Sequence, residues 1–181
     1  MAQVDKNQEE VNQENEKVQF ITFRVNNYEY GIDIGIVKEI KGWVQATPLP
    51  NTHEYILGVI NLRGAVVPIY DLRCRFGLGS TEPTQNHVVM ILTVDDKKKG
   101  ILVDAVSEII TISADEVMPV PAVENSNSSE SLFKGLVNFS DQIIVLLAIE
   151  KIFDQNVIIS QEHHAQLSDI RSKTEFEHAD L

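Results

Sequence analysis

The sequence has little cysteine, tryptophan and positive charge, and it has no long apolar run. Its 181 residues include one cysteine and one tryptophan, and 27 acidic side chains outnumber 15 basic ones, for a net charge of −12. A single cysteine excludes an internal disulfide and a thiolate zinc cage. Nucleic acid and anionic membranes require basic surfaces, which argues against both as ligands. No stretch approaches the roughly 18 apolar residues of a membrane-spanning helix. Together with a polar N-terminus unlike a signal peptide, these absences predict a cytoplasmic protein that does not insert into a membrane.

What the sequence does have is an ordinary globular composition between two acidic ends. Hydrophobic residues make up 43% and charged residues 23%, as in folded domains. Residues 1–17 carry five acids, two bases and almost no apolar side chains, so we predict a disordered acidic arm. Residues 154–181 carry six acids and two bases, with apolar residues at roughly helical spacing. This end is predicted to be a C-terminal helix or a flexible tail.

Between the two ends, short apolar runs bounded by turns predict an all-β fold. The runs are rich in Val, Ile and Leu and are too short for most helices. The clearest hairpin joins residues 58–62 to residues 65–69 through Arg63 and Gly64, where the glycine supplies a positive φ.

Comparison of the chain with itself reveals an internal repeat. A first block keeps an offset of 69 residues and a second keeps an offset of 77. The aligned pairs include Val25 with Val94, Gly31 with Gly100, Val37 with Val106, Glu39 with Glu108, Ile40 with Ile109, Gly58 with Gly135, Asn61 with Asn138 and Phe76 with Phe153. Two ungapped blocks in the same order indicate a duplication. We therefore predict two small five-stranded β-barrels side by side, formed by residues 18–82 and 83–153, with a few short helices.

The residues that commonly carry catalysis or bind metals do not form a recognisable constellation. The histidines lack metal-ligand spacing, and there is no nucleophile elbow or phosphate-binding glycine loop. We predict no catalytic residue, metal or cofactor. Cys74 lies between Arg73 and Arg75, whose charges would lower the pKa of its thiol. The alternative function is therefore an enzymatic or small-molecule-binding barrel that uses Cys74 or a pocket between the barrels.

Arg63 at the hairpin tip admits two interpretations. It forms a local ion-pair network with Asp71, Arg73 and Arg75, or it presents a planar set of hydrogen-bond donors to a partner protein. The residues alone leave this choice open.

Several segments resemble the CheW-like domain family of bacterial chemotaxis. The most specific segment is residues 56–73, ILGVINLRGAVVPIYDLR, and residues 28–34 with 37–40, YEYGIDI and VKEI, precede it. Residues 100–104 and 149–151 continue the similarity in order. The resemblance covers roughly residues 19–154. It favours a stand-alone coupling protein, since the related proteins CheA and CheV carry further domains for which this chain leaves no room.

The resemblance implies two five-stranded barrels of the SH3 type and a non-catalytic adaptor or scaffold. Such adaptors couple the regulatory domain of the histidine kinase CheA to the cytoplasmic tips of methyl-accepting chemotaxis receptors and build receptor arrays, which places the protein near the membrane through its partners. The acidic composition predicts that nucleic acid is not a partner. Carried over by position, receptor contact falls on Glu39, Arg63, Val88, Val89, Gly100 and Ile109, and kinase contact falls on Val37 and Gly58.

Overall fold

A computed structural model describes residues 17–121 and 132–155, which form ten β-strands and two one-turn α-helices. The strands are β1 (Lys17–Val25), β2 (Tyr28–Asp33), β3 (Val37–Gly42), β4 (Ile56–Leu62), β5 (Ala65–Asp71), β6 (Val88–Val94), β7 (Lys97–Val103), β8 (Ala105–Ser113), β9 (Phe133–Phe139) and β10 (Gln142–Leu147). The helices are α1 (Leu72–Arg75) and α2 (Ile149–Ile152), and single turns of 3-10 helix lie at Ile34–Ile36 and Ala114–Glu116. None of the described helices is long and apolar enough to cross a membrane.

The strands form two five-stranded sheets that repeat the same order. Sheet A has the order β8-β1-β2-β10-β9, and sheet B has the order β3-β6-β7-β5-β4. Neighbouring strands are antiparallel, except that β10 pairs with β2, and β5 with β7, in parallel. Strands β1 to β5 of the first repeat correspond, in the same order, to strands β6 to β10 of the second. When each strand is replaced by its counterpart, the order of one sheet becomes the order of the other. The predicted all-β fold with two five-stranded units is confirmed.

Each sheet takes strands from both sequence repeats. Sheet A combines β1 and β2 with β8, β9 and β10, and sheet B combines β3, β4 and β5 with β6 and β7. Residues 18–82 and residues 83–153, the two predicted units, therefore do not each form one sheet. The reason lies at Ile34–Ile36, where the chain turns out of sheet A, so that β3 pairs with β6 instead of β2. Of the predicted arm and tail, residues 1–16 and 156–181 lie outside the described residues.

Three apolar clusters stabilise the two sheets, and one of them joins the sheets to each other. The sheet-A core consists of Phe20, Ile110, Ile112, Val137, Ile144 and Leu146. The sheet-B core consists of Ala46, Ile60, Leu62, Val67, Ile69, Val89, Ile91 and Leu102. A larger central core takes side chains from both sheets, and in it Tyr30 stacks between Phe23 and Phe76. Successive residues of a strand point to opposite faces, so Ile69 lies in the sheet-B core while the adjacent Tyr70 lies in the central core.

The two edges of each sheet are linked by a single bridge. In sheet B, Thr47 follows β3 and exchanges backbone hydrogen bonds of 2.8 and 2.9 Å with Val59 of β4. In sheet A, Met118 follows β8 and exchanges equivalent bonds of 2.8 and 2.9 Å with Leu136 of β9. In the described part of the chain these bridges join the sheet edges without a continuous closing ladder.

Candidate functional site

The β4–β5 hairpin ends in a two-residue turn formed by Arg63 and Gly64. Leu62 pairs with Ala65 across this turn, and the φ angles of Arg63 and Gly64 are 50° and 87°. Two successive left-handed residues make the type I′ turn that matches the twist of the flanking strands. Glycine enters this region freely, whereas a residue with a side chain meets a steric cost of about 1–2 kcal/mol there. Arg63 is therefore an unusual residue for its backbone position.

The side chain of Arg63 extends into solvent and pairs with Glu39 on β3. Nη1 of Arg63 lies 3.1 Å from Oε2 of Glu39, and the two side chains are 78% and 27% exposed. Since β3 and β4 are opposite edges of sheet B, this ion pair connects the two edges beside the turn. An exposed pair stabilises a fold by at most about 1 kcal/mol. The other guanidinium donors remain accessible to a partner.

Asp71 does not share a network with Arg63, because it is buried and caps α1. Its Oδ1 accepts the backbone N–H of Cys74 at 3.2 Å and the hydroxyl of Thr81 at 2.8 Å. Its Oδ2 accepts the backbone N–H of Thr81 at 2.7 Å. The carboxylate thus fixes the start of the helix and the chain that follows it.

Arg73 and Arg75 are also directed away from the hairpin tip. Nε of Arg73 donates to the carbonyl of Leu78 at 3.3 Å. Arg75 is buried, and its Nε and Nη2 donate to the carbonyls of Ile152 and Asp154 at 2.8 and 2.7 Å. The interpretation in which Arg63 forms a local ion-pair network with Asp71, Arg73 and Arg75 is therefore wrong.

The thiol of Cys74 does not have the lowered pKa expected from its sequence neighbours. Burial raises the pKa of Cys74, and the nearby Asp71 carboxylate raises it further. Both flanking arginines donate to backbone carbonyls instead of approaching the sulfur. A thiol with a raised pKa is a weak nucleophile near neutral pH, so the enzymatic alternative loses the chemistry on which it rested.

In the described residues, the side chains that could bind a metal are not grouped, and apolar side chains fill the central core. No group of three or more His, Cys, Asp and Glu side chains there is placed to hold a metal ion. The region between the sheets is occupied by buried side chains of the central core, which include Tyr30, Met90 and Ile101.

Seven of the eight predicted contact residues lie on sheet B. Val37 and Glu39 are on β3, Gly58 is on β4, Arg63 is in the β4–β5 turn, Val88 and Val89 are on β6, Gly100 is on β7, and Ile109 is on β8 of sheet A. The structure thus brings most of the sequence-predicted residues to one sheet, although they come from both repeats.

Three of these residues have no accessible side chain. Val89 is fully buried in the sheet-B core. At Gly100, an added Cβ would overlap Cδ1 of Ile69 on the parallel strand β5. At Gly58, whose φ is 133°, it would overlap the backbone oxygen of Thr47. Substitutions at these positions act on a partner only through the packing of sheet B.

The remaining predicted residues reach the surface to different degrees. Arg63 and Ile109 are exposed, and Ile109 is 53% accessible although it is a large apolar residue. Val37, Glu39 and Val88 are half-buried. These five residues are the ones whose side chains can touch another protein.

Sequence reasoning missed two exposed apolar residues on sheet B. Val66, the second residue after the hairpin turn, is 69% exposed, and Ile40 on β3 is 44% exposed. The repeat itself was a usable signal for Ile40, because it aligns this residue with Ile109. Val66 lies inside an apolar run whose pattern does not distinguish buried from exposed positions.

Two five-stranded β-sheets with a shared core and an exposed arginine turn define a small all-β domain. Comparison with known proteins identifies the family. A family model for the CheW-like domain matches residues 19–157, and the chain belongs to this family.

Individual relatives agree with this assignment. The chemotaxis protein CheW of Rhizobium meliloti (strain 1021) is 41% identical over 135 residues, which cover 75% of this chain and 86% of that protein. The chemotaxis protein CheW of Klebsiella aerogenes is 39% identical over 134 residues, covering 74% of this chain and 80% of that protein. The crystal structure of the scaffolding protein TtCheW from Thermoanaerobacter tengcongensis matches with a TM-score of 0.69 and 30% identity, over 81% of this chain and 97% of that one.

Family membership confirms the coarser predictions made from sequence. The chain is a CheW-like adaptor or scaffold protein of chemotaxis, of a non-catalytic family. The matched range, residues 19–157, nearly coincides with the range over which the resemblance was recognised.

Proposed function

We propose that this protein couples the histidine kinase CheA to methyl-accepting chemotaxis receptors and so joins cytoplasmic receptor arrays at the membrane. The observation that carries this proposal is the exposed Arg63 in a left-handed turn. The matched turn of the second repeat, Ser140 and Asp141, has φ angles of 51° and 61° without an arginine. The fold requires the tight turn, but not the guanidinium, and a strained residue that the fold does not require is a candidate for function.

The receptor contact is assigned to Arg63 and Glu39, with Val88 and Ile109 as apolar contacts. A receptor tip is a helical hairpin, which offers both an apolar stripe and charged side chains. A guanidinium binds a carboxylate through two parallel hydrogen bonds, and such charged contacts fix the register of a helix in its site. Val89 and Gly100 support this surface from within the sheet-B core.

The kinase contact is assigned to the β3 edge of sheet B around Val37. The Val37 side chain is half-buried and packs partly against the central core. Gly58 contributes indirectly, because its lack of a side chain allows β4 to approach Thr47. Apart from Ile109 on sheet A, this assignment places the proposed receptor and kinase contacts on sheet B.

The direct test reverses the charge of Arg63 in the full chain. Arg63→Glu places a carboxylate beside Glu39 and removes the donor to the receptor. We expect the dissociation constant for a purified receptor cytoplasmic fragment to rise at least about tenfold, as for loss of a charged hydrogen bond. Binding to CheA should not change. Lys98→Glu, an equal charge reversal at an exposed position on β7, is the matched control and should bind both partners normally.

Co-purification of the chain with CheA and the receptor fragment as a ternary complex tests the coupling itself. Failure to form the complex with wild-type protein would contradict the adaptor role. Normal receptor binding by Arg63→Glu, or its unfolding as seen by circular dichroism, would contradict the assignment of Arg63.

A further inference from the structure

We propose that Asn61 is a positioning residue that holds Arg63 in its binding geometry, an inference that rests on the proposed receptor contact of Arg63. Asn61 lies on β4, two positions before Arg63. Its Oδ1 accepts the backbone N–H of Gly64 at 2.8 Å. The side chain therefore ties the last part of the strand to the second residue of the turn.

The hydrogen bond supports a turn whose sequence is poorly suited to its shape. Type I′ turns favour Asn, Asp or Gly at the first central position, and here that position is held by Arg63 with a φ of 50°. The Leu62–Ala65 pair closes the ladder, which leaves the N–H of Gly64 for a side-chain acceptor. An asparagine that bonds to the backbone a few residues later is a common means of fixing a turn.

The second repeat shows that the same residue type does not form this bond by default. Asn138 aligns with Asn61, is also exposed, and precedes a turn with the same left-handed backbone at Ser140 and Asp141. Among the hydrogen bonds of the described residues, none joins the Asn138 side chain to the N–H of Asp141. Among the described residues, the hydrogen bond from the turn to an asparagine side chain is thus present in the hairpin that carries Arg63 and absent from its counterpart.

Loss of the hydrogen bond between Asn61 and Gly64 should reduce receptor affinity, although the guanidinium of Arg63 itself is unchanged. When only a fraction of molecules holds the turn that places Arg63 beside Glu39, the apparent affinity falls by that fraction. The net value of one hydrogen bond corresponds to a decrease of about 3- to 10-fold.

The experiment measures the dissociation constant of the full chain for a purified receptor cytoplasmic fragment. Asn61→Ala should bind about 3- to 10-fold more weakly, and Asn61→Gln, whose longer side chain misplaces the acceptor, should behave similarly. Asn61→Asp retains an Oδ acceptor and should restore most of the affinity. Asn138→Ala is the matched control at the equivalent position and should bind as the wild type does.

A double-mutant cycle distinguishes positioning of Arg63 from a general structural role. In an Arg63→Ala background, Asn61→Ala should have no further effect, because the group that it positions is gone. Equal weakening in both backgrounds would overturn the proposal. Wild-type binding by both Asn61→Ala and Asn61→Gln, with Arg63→Ala weakened, would overturn the role of Asn61 and leave the proposed function intact. Normal binding by Arg63→Ala itself would overturn the receptor contact and this inference together.

Discussion

The two hairpins at β4–β5 and β9–β10 have the same backbone and different chemistry. Arg63 and Gly64 form one turn, and Ser140 and Asp141 form the other, all with positive φ. Arg63 pairs with Glu39, whereas its counterpart Ser140 carries no cation. Duplication preserved what folding requires at both sites, and the side chains that differ are those free to serve a partner.

A second matched pair shows where the repeats share a requirement for folding. Gly58 and Gly135 both lie beside the bridge that links the two edges of a sheet. At Gly135 an added Cβ would lie 2.5 Å from Cγ1 of Val117 and 2.8 Å from the oxygen of Met118. At Gly58 the added Cβ would overlap backbone atoms of Thr47, and φ is also 133°. Both glycines allow the segment after one edge strand to pack closely against the other edge strand, and the space available at this point is smaller in sheet B.

The largest expected effect is the loss of stability on replacing these glycines. Gly58→Ala should lower the free energy of unfolding by about 3 kcal/mol or more, since steric overlap with rigid backbone and unfavourable φ act together. Gly135→Ala should lower it by about 1–2 kcal/mol, because its overlap with the Met118 backbone oxygen is smaller and no positive φ adds to it. Chemical denaturation of both variants gives the comparison.

Equal losses in the two variants would mean that the sheets tolerate the same crowding, which contradicts the tighter approach at Gly58. If instead Gly58→Ala keeps wild-type stability and loses only CheA binding, Gly58 contacts the kinase directly and the packing argument fails.

Arg75 provides an intermediate effect at a position where the repeats diverge. The offset of 77 residues aligns Arg75 of α1 with Ile152 of α2, and Arg75 donates to the Ile152 carbonyl. Burial lowers the pKa of Arg75 by penalising its charge, yet Tyr55 lies beneath the guanidinium at 4.6 Å from the ring centroid. The first repeat thus uses a buried cation to attach the end of the second.

Replacement of Arg75 should loosen this attachment. Arg75→Met should lower the free energy of unfolding by about 2 kcal/mol, because two carbonyls lose charged donors while the apolar stem is kept. Arg73→Met, which removes one longer bond to Leu78 from a less buried side chain, should cost about 0.5–1 kcal/mol. A similar loss for both variants, measured by urea unfolding, would show that the link between α1 and α2 adds nothing specific.

The duplication, the number of strands and the β4–β5 turn could be predicted from the sequence, because each depends on residues close together in the chain or at a fixed offset. The exchange of strands between repeats could not. A pattern of alternating apolar residues marks β3 as a strand, but it does not state whether β2 or β6 will be its neighbour. That choice follows from the turn at Ile34–Ile36 and from burial in the assembled cores.

The interactions of the site residues could be predicted only where the partners are close together in the sequence. Arg63 was recognised at a hairpin tip, but its partner Glu39 comes from a strand at the opposite edge of sheet B. The charges on either side of Cys74 misled the pKa prediction, because both arginines are turned toward carbonyls. Side-chain direction, and not adjacency, decides such interactions.

The smallest expected effect separates stability from binding at the arginine turn itself. Arg63→Asn creates the residue pair that type I′ turns favour, and it relieves the left-handed backbone while giving up an exposed ion pair. The free energy of unfolding should rise by about 0.5 kcal/mol, which is the difference between these two terms. Receptor affinity should fall, because the guanidinium is lost.

The matched variant Ser140→Asn relieves the same backbone conformation in the other repeat without giving up an ion pair. It should raise the free energy of unfolding by at least as much as Arg63→Asn and leave receptor binding unchanged. If only the substitution at Arg63 both stabilises the protein and weakens receptor binding, then Arg63 costs the fold stability and is retained for the contact with the receptor. If Arg63→Asn were instead destabilising by more than about 1 kcal/mol, the exposed ion pair would exceed its usual worth. The arginine would then belong to the fold of sheet B, and the contrast between the two hairpins would no longer point to a partner.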